Sequence, residues 1–196
     1  VRHPEGVLTP GHDEKDAQDE PELWRLVERR TVYQGRFVQL YQDVLEGPAA
    51  PEFYEHVRVA DGVRVVALDA ERQVVLVEDQ FYLQGRRMLH LPGGGTEAGE
   101  DPALTAAREL AEETGWRAAA WRSLGSIHPL PTSSVARTHL FLATGLTPGP
   151  VHRDEAEQLM TVRKAPLTEA VALVRSGVIT EAGSVTALLL AAQLST

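Results

Sequence analysis

Three glutamates, Glu109, Glu112 and Glu113, lie close together in the run Ala107-Arg108-Glu109-Leu110-Ala111-Glu112-Glu113-Thr114-Gly115. At roughly 100° per residue of helix they fall within about 100° of arc. Leu104, Ala107, Leu110, Ala111 and Thr114 then cover the opposite side, so the segment reads as a helix with one apolar face and one carboxylate face. Like charges at i, i+3 and i+4 repel, at a cost of roughly a few tenths of a kcal/mol per exposed pair. Arg108, four residues before Glu112, can pair with it, which leaves two acids. Hard carboxylate oxygens in such an array suit Mg²⁺, with Mn²⁺ as a substitute, and a cation held there can bridge to phosphate oxygens. A merely solvated acidic face is the alternative for any charge run. The preceding segment, Leu91-Pro92-Gly93-Gly94-Gly95, is too rich in glycine for the interior of an element. Without side chains, Gly93 to Gly95 can bring backbone amides and carbonyls close to a metal or a phosphate. Glu97 and Glu100 add acids between that turn and the helix.

The elements that must position these groups can be read from periodicity. Asp101 is the expected N-cap of the helix, Pro102 its first residue and Gly115 its stop. Residues 36–44, 53–59, 63–68 and 73–77 read as strands, the second and third split at Asp61-Gly62. Residues 123–128 and 139–143 read as strands, and 158–162 as a weaker one. Residues 167–175 and 184–194 have helical apolar spacing, with Gly177 and Gly183 between them. The order implies an α+β chain, a mixed β-sheet between helices. Residues 1–22, with several prolines and the acids Asp13, Glu14, Asp16, Asp19 and Glu20, read as a flexible tail ahead of a single domain over 23–196.

Composition narrows the function classes. A formal charge of −9 disfavours a nucleic-acid partner, which usually meets a basic stripe. There is no apolar run long enough to span a membrane and no apolar stretch of a secretory signal near the beginning. Cys is absent, which removes disulfides and thiolate ligands. A cytoplasmic setting is the expectation. His56, His128, His139 and His152 have no metal-ligand spacing. Ser133-Ser134 has no Gly-x-Ser-x-Gly context, and the glycine run lacks the Gly-Lys-Ser/Thr of a P-loop.

Gly94, five residues, Glu100, seven residues, then Arg108-Glu109-Leu110-Ala111-Glu112-Glu113-Thr114-Gly115-Trp116 resembles the box of the Nudix hydrolase family at every defining position. With seven identities at average usage of roughly 6–7% each, a chance match at one start is on the order of 10⁻⁸. The run from Val63 to Gly95 resembles the strand-strand-loop entry of that family. Leu167-Thr168-Glu169-Ala170, the final Ala- and Leu-rich helix and Pro131 resemble its ADP-ribose pyrophosphatase branch.

That resemblance implies a Nudix fold, a mixed sheet sandwiched between helices with extra N-terminal strands, and a Mg²⁺-dependent hydrolase that cleaves the diphosphate of a nucleoside diphosphate derivative. ADP-ribose or a nucleotide sugar is the expected substrate. Glu109 and Glu113 would be the main metal ligands, and Glu112 a ligand directly or through water. The Gly93 carbonyl would complete part of the shell. Arg108 would orient the glutamates, and Glu100 would fix the junction of loop and helix, where it also suits the helix dipole. A general base would come from Glu157, or else Glu155, although acids in an exposed loop are the simpler reading of that segment. Phe81 and Tyr82 stand where the branch places an arginine, and His90 where it places a glutamate. Phe81, Tyr82 and Trp24 can stack on a base or pack as core. Arg86 and Arg87, with Gly94, are candidates to contact phosphate, the arginines otherwise forming a solvated turn. A homodimer through the strands of residues 36–59 is implied. A nucleoside triphosphate pyrophosphohydrolase and a non-catalytic nucleotide sensor are the competing functions.

Overall fold

The computed structural model describes residues 23–150 and 159–194. The segment read as a tail, 1–22, and the candidate bases Glu155 and Glu157 lie outside the described residues. The described strands are β1 (Arg25–Gln34), β2 (Gln39–Glu46), β3 (Tyr54–Arg58), β4 (Gly62–Ala67), β5 (Gln73–Phe81), β6 (Arg86–His90), β7 (Trp116–Ile127), β8 (Thr138–Pro148) and β9 (Thr161–Pro166). The helices are α1 (Pro102–Thr114), α2 (Leu167–Arg175) and α3 (Ala182–Gln193). The strands form three sheets in the orders β1-β2-β3, β4-β8-β7 and β6-β5-β9. Only β4 and β8 pair in parallel; the other pairings are antiparallel. Among the described residues no helix is long and apolar enough to cross a membrane.

The second and third sheets lie between helices, and their strands β4 and β5 bury both faces. On β4, Val63, Val65 and Ala67 join Val75 of β5 and Ala106 and Leu110 of α1 in one core. Val66, on the other face, joins Val74, Leu76 and Leu140 in a second core closed by Ala170 of α2 and Ala187 and Leu188 of α3. A strand covered on both sides reads as a continuous apolar run, which explains Val-Val-Leu-Val in β5. The expected α+β sandwich is the observed architecture.

Several details differ from the sequence reading. β1, ten residues exposed along its whole length, carries no hydrophobic alternation and shows no period-2 signal. β6 occupies the segment read as a turn around Arg86 and Arg87. β7 and β8 extend well past the spans expected for them. Asp61-Gly62 does not close a hairpin: β3 and β4 belong to different sheets, and the Gly62 amide donates to the Arg137 carbonyl at 2.8 Å. Gly183 lies inside the first turn of α3 rather than between helices.

The largest correction concerns the face of α1. Its buried residues are Thr105, Ala106, Glu109, Leu110, Glu113 and Thr114, whereas Leu104 is 65% exposed. Glu109 and Glu113 therefore belong to the inward stripe and do not stand opposite it. The i, i+4 spacing that pairs them also flanks Leu110, so the rotation that buries Leu110 carries both carboxylates inward.

Arg64 shares the α3 side of β4 with Val66 and meets Glu181, the N-cap of α3, at 3.0 Å. Burial pushes the Glu181 carboxyl up, but the Arg64 charge and the donors Ser184 and Gly183 hold it at about 2. A carboxyl depressed in the folded state adds stability above its unfolded value, near 4.5, that is lost as pH falls toward 2. Acid unfolding curves should therefore be flatter between those values for Glu181→Gln than for the parent chain. Leu110→Ala, at a position with no exposure, should cost about 2–5 kcal/mol in urea unfolding.

Candidate active site

The glycine turn is held against β4 by its own backbone. Val63 N donates to the Gly94 carbonyl and Val65 N to the Pro92 carbonyl, both at 2.9 Å. Contact this close explains the glycine at 93, where φ is +142° and an added Cβ would stand 2.1 Å from the Val63 carbonyl oxygen. α1 starts just beyond the turn. The Asp101 side chain accepts from Ala103 N at 2.7 Å, Pro102 opens the helix, and Gly115 ends it in the left-handed conformation at φ 74°.

The two inward glutamates of α1 meet this turn. Glu113, 3% exposed, accepts from Gly93 N at 2.9 Å. Glu109 is 7% exposed, and a Cβ on Gly94 would come within 2.6 Å of its Oε1. Gly93 thus supplies a donor and Gly94 supplies room. Glu112 stands at the rim, its side chain 39% exposed.

Arg108 binds this group together. Its Nη1 donates to Glu109 Oε1 at 2.9 Å and to Glu112 Oε2 at 3.0 Å. Its Nε and Nη2 each reach Glu100 at 3.2 Å. These bonds, the one to Glu100 first, raise the guanidinium pKa further, so it is always charged. The Arg108 contact, helped by the Glu97 amide and Thr105, pulls the Glu100 carboxyl down to about 2. Glu100 therefore spans from the loop to the helix, because its Oε2 also accepts from Glu97 N at 3.2 Å.

One guanidinium shared among three carboxylates, with a fourth buried beside them, leaves net negative charge in a partly desolvated place. Such a donor set fits a hard divalent cation. Among the described residues, no three His, Asp or Glu side chains already converge as a ready-made cation cage. The Gly93 carbonyl already accepts from Arg64 Nη1 at 2.6 Å.

The other candidates are spread more widely. Phe81 ends β5 and packs edge-on against the His90 ring at 5.1 Å. Tyr82 begins a short exposed 3-10 turn. Trp24 lies on the N-terminal sheet, 6.3 Å from the Tyr54 ring, and donates to the Pro48 carbonyl. Arg87 is engaged with Glu78 and the Leu159 carbonyl, and Arg86 approaches Thr180. His90 is buried, with Nδ1 on the Leu91 carbonyl and Nε2 lacking a hydrogen-bond partner among the described residues. Burial, reinforced by Arg64, lowers its pKa and favours the neutral ring.

Sequence reasoning missed the residues beside the turn. A cavity of about 310 Å³ borders Gly94 and Gly95 and is lined by Asp61, Arg64, Arg137 and Thr138. Asp61 accepts from Arg137 N at 2.9 Å and faces His139 at 3.4 Å, while its carbonyl accepts from Thr96 N. A charged residue inside the apolar run of β4 was the available signal for Arg64.

The profile of the NUDIX domain matches residues 58–181. The chain belongs to the Nudix family. It is a pyrophosphatase-type hydrolase of the ADP-ribose pyrophosphatase-like branch. It is 34% identical over 82% of its length to a CMP-5'-(N-acetyl-N-hydroxy-3-aminopropyl)phosphonate hydrolase of Streptomyces rubellomurinus, covering 78% of that protein. It is 33% identical over 77% of its length to an ADP-ribose pyrophosphatase of Mycobacterium tuberculosis, covering 74% of it. A Bacillus methanolicus methanol dehydrogenase activator is 33% identical over 63% of the chain and 67% of its own length. A crystal structure of an ADP compounds hydrolase superposes with TM-score 0.78 over 89% of this chain and 95% of that one, at 20% identity, which is a likeness of fold. The Nudix match begins at residue 58, at the end of β3, so the β1-β2-β3 sheet precedes it.

Gly94→Ala tests the contact between turn and helix. The added methyl displaces the Glu109 carboxylate by about an ångström, and turnover should fall roughly 10²-fold. Thermal unfolding should move far less than for Leu110→Ala.

Proposed function

We propose that this Nudix enzyme hydrolyses the diphosphate linkage of a nucleoside diphosphate derivative, ADP-ribose or a nucleotide sugar, with Mg²⁺ as cofactor and Mn²⁺ as substitute. The observation that carries this reading is the burial of Glu109 and Glu113 beneath the glycine turn. The named substrates of two relatives support the class, ADP-ribose in one and a CMP-linked phosphonate in the other. Each joins a nucleoside phosphate to a further group.

Glu109 and Glu113 would hold the cation, with Glu112 a ligand directly or through water. The Gly93 carbonyl, which keeps a second lone pair beyond its bond to Arg64, would add an oxygen. The bound cation supplies charge neutralisation at the diphosphate and a lower pKa for the attacking water. Arg108 keeps the glutamates oriented through its three carboxylate contacts. Gly94 leaves open the approach to Glu109 for a phosphate oxygen. Glu157, or else Glu155, would accept the proton of the water. Arg86 and Arg87 are candidates for phosphate contact, and Phe81 and Tyr82 for the base.

A homodimer through the N-terminal sheet completes the reading. β1 is exposed along its length and bears Leu26, Val27, Val32 and Tyr33, and Phe37 beyond it is 76% exposed. An exposed edge strand that carries these side chains beside Arg25, Glu28, Arg29 and Arg30 leaves a row of backbone groups open to pairing, and a second copy is the simplest cover. A cytoplasmic location agrees with a chain that has no Cys.

Glu113→Gln keeps volume but removes a ligand charge. Its turnover should drop about 10²- to 10³-fold, since metal assistance is worth several kcal/mol. Unchanged turnover would reject the metal assignment. Assayed in parallel on ADP-ribose, GDP-mannose, UDP-glucose, NADH and dGTP, the enzyme should favour the diphosphate substrates. Activity confined to dGTP would defeat the substrate class. Light scattering should report twice the chain mass of 21.4 kDa, and a monomer at working concentration would refute the dimer.

A further inference from the structure

The start of the glycine turn is gripped from the C-terminal helix as well as from the sheet. Leu91 N donates to Ser184 Oγ at 2.9 Å, and Arg64 Nη1 donates to the Gly93 carbonyl at 2.6 Å. Both grips converge on one carboxylate oxygen. Glu181 Oε2 accepts from Arg64 Nε at 3.0 Å and from the amide and hydroxyl of Ser184, each at 2.7 Å. The second oxygen of Glu181 accepts from Gly183 N at 3.0 Å. The Ser184 hydroxyl gives its one proton to Glu181 and accepts from Leu91, which satisfies it.

The pair is costly to place here. Arg64 and Glu181 side chains are only 15% and 20% exposed, and apolar residues in such positions are often as stabilising as the ion pair or more so. α3 also makes room for it: a Cβ on Gly183 would stand 2.8 Å from Arg64 Cγ and 3.0 Å from Thr138 Cγ2. What the pair does that two apolar side chains could not is hold the Gly93 carbonyl directly and take the proton of the Ser184 hydroxyl that receives the Leu91 amide. The amide of that same Gly93 donates to Glu113, so a displacement of Gly93 moves a donor on which that carboxylate depends.

We propose that Arg64 and Glu181 are positioning residues for the hydrolytic reaction: the pair locks Gly93 in place, and through its amide orients Glu113 for the cation, joining α3 to the catalytic turn. This rests on the cation-dependent hydrolase reading given above.

The test compares Arg64→Met, which keeps the aliphatic stem, with Arg64→Lys, Ser184→Ala and the control Lys164→Met. The control breaks the Lys164–Asp69 pair at 2.8 Å, between β9 and the residues just before β5. Mn²⁺ affinity of the substrate-free protein is read by electron paramagnetic resonance, alongside kcat, KM and Tm. Arg64→Met should weaken Mn²⁺ binding by about tenfold or more, as loss of a residue supporting a ligand does, and should lower kcat more than it raises KM. Arg64→Lys should recover part of both, because a single ammonium on a shorter reach cannot span Glu181 and the Gly93 carbonyl as the guanidinium fork does. Ser184→Ala should weaken Mn²⁺ binding about threefold, because it releases the Leu91 amide and one donor to Glu181 but leaves the Arg64 bond to Gly93 in place. Lys164→Met should lower Tm alone. Parental Mn²⁺ affinity and kcat in Arg64→Met would overturn the proposal whatever its Tm. If that variant does not fold, parental values in both Arg64→Lys and Ser184→Ala overturn it instead. A parent chain that binds Mn²⁺ but hydrolyses none of the diphosphates fails the hydrolase reading alone, and the expected ranking of Mn²⁺ affinities then still upholds the positioning role.

Discussion

Two carboxylates of one helix, Glu109 and Glu113, are driven under a turn of three glycines, and much of the structure near them follows from that placement. Burying like charges side by side is unfavourable unless donors and counter-charges surround them. The chain answers with a backbone amide at Gly93, the guanidinium of Arg108 and space in place of a side chain at Gly94. Each of these would be wasted on an acidic face turned to water. The site is thus a place of concentrated negative charge, kept ordered by hydrogen bonds whose donors come from both the turn and the helix.

The fold makes that placement stable. β4 is buried on both faces and gives one edge of its backbone to the turn, through Val63 and Val65. On one side it packs against α1 through Leu110, which sits between the two glutamates in sequence. On the other side it carries Arg64 toward α3. A single strand thereby fixes the helix that bears the carboxylates, the turn that covers them and the ion pair that leads to the C-terminal helix. The N-terminal sheet contributes no residue to this cluster.

The sequence was most informative where local rules act. Asp101, Pro102 and Gly115 delimit α1 because capping and φ preferences need only near neighbours, and the spacing from Gly94 to Trp116 carried the family. It misled where tertiary packing decides. The apolar face read from Leu104, Ala107, Leu110, Ala111 and Thr114 set the glutamates opposite it, and nothing local says that two of them will be rotated inward. β1 escaped notice because neither of its faces is buried in the single chain, so it has no alternation to read. Arg64 lies 117 residues from Glu181 in sequence, and only the passage of β4 beneath α3 brings it to the Glu181 oxygen that Ser184 also reaches.

The most direct test is a crystal structure of the enzyme with Mn²⁺ and a non-hydrolysable ADP-ribose analogue, read by the anomalous signal of the metal. The expected result is a peak within about 2.5 Å of carboxylate oxygens of both Glu109 and Glu113, bridged to the diphosphate above Gly94. Glutamates left wholly to Arg108 and the Gly93 amide, with the metal and the diphosphate bound elsewhere, would contradict it.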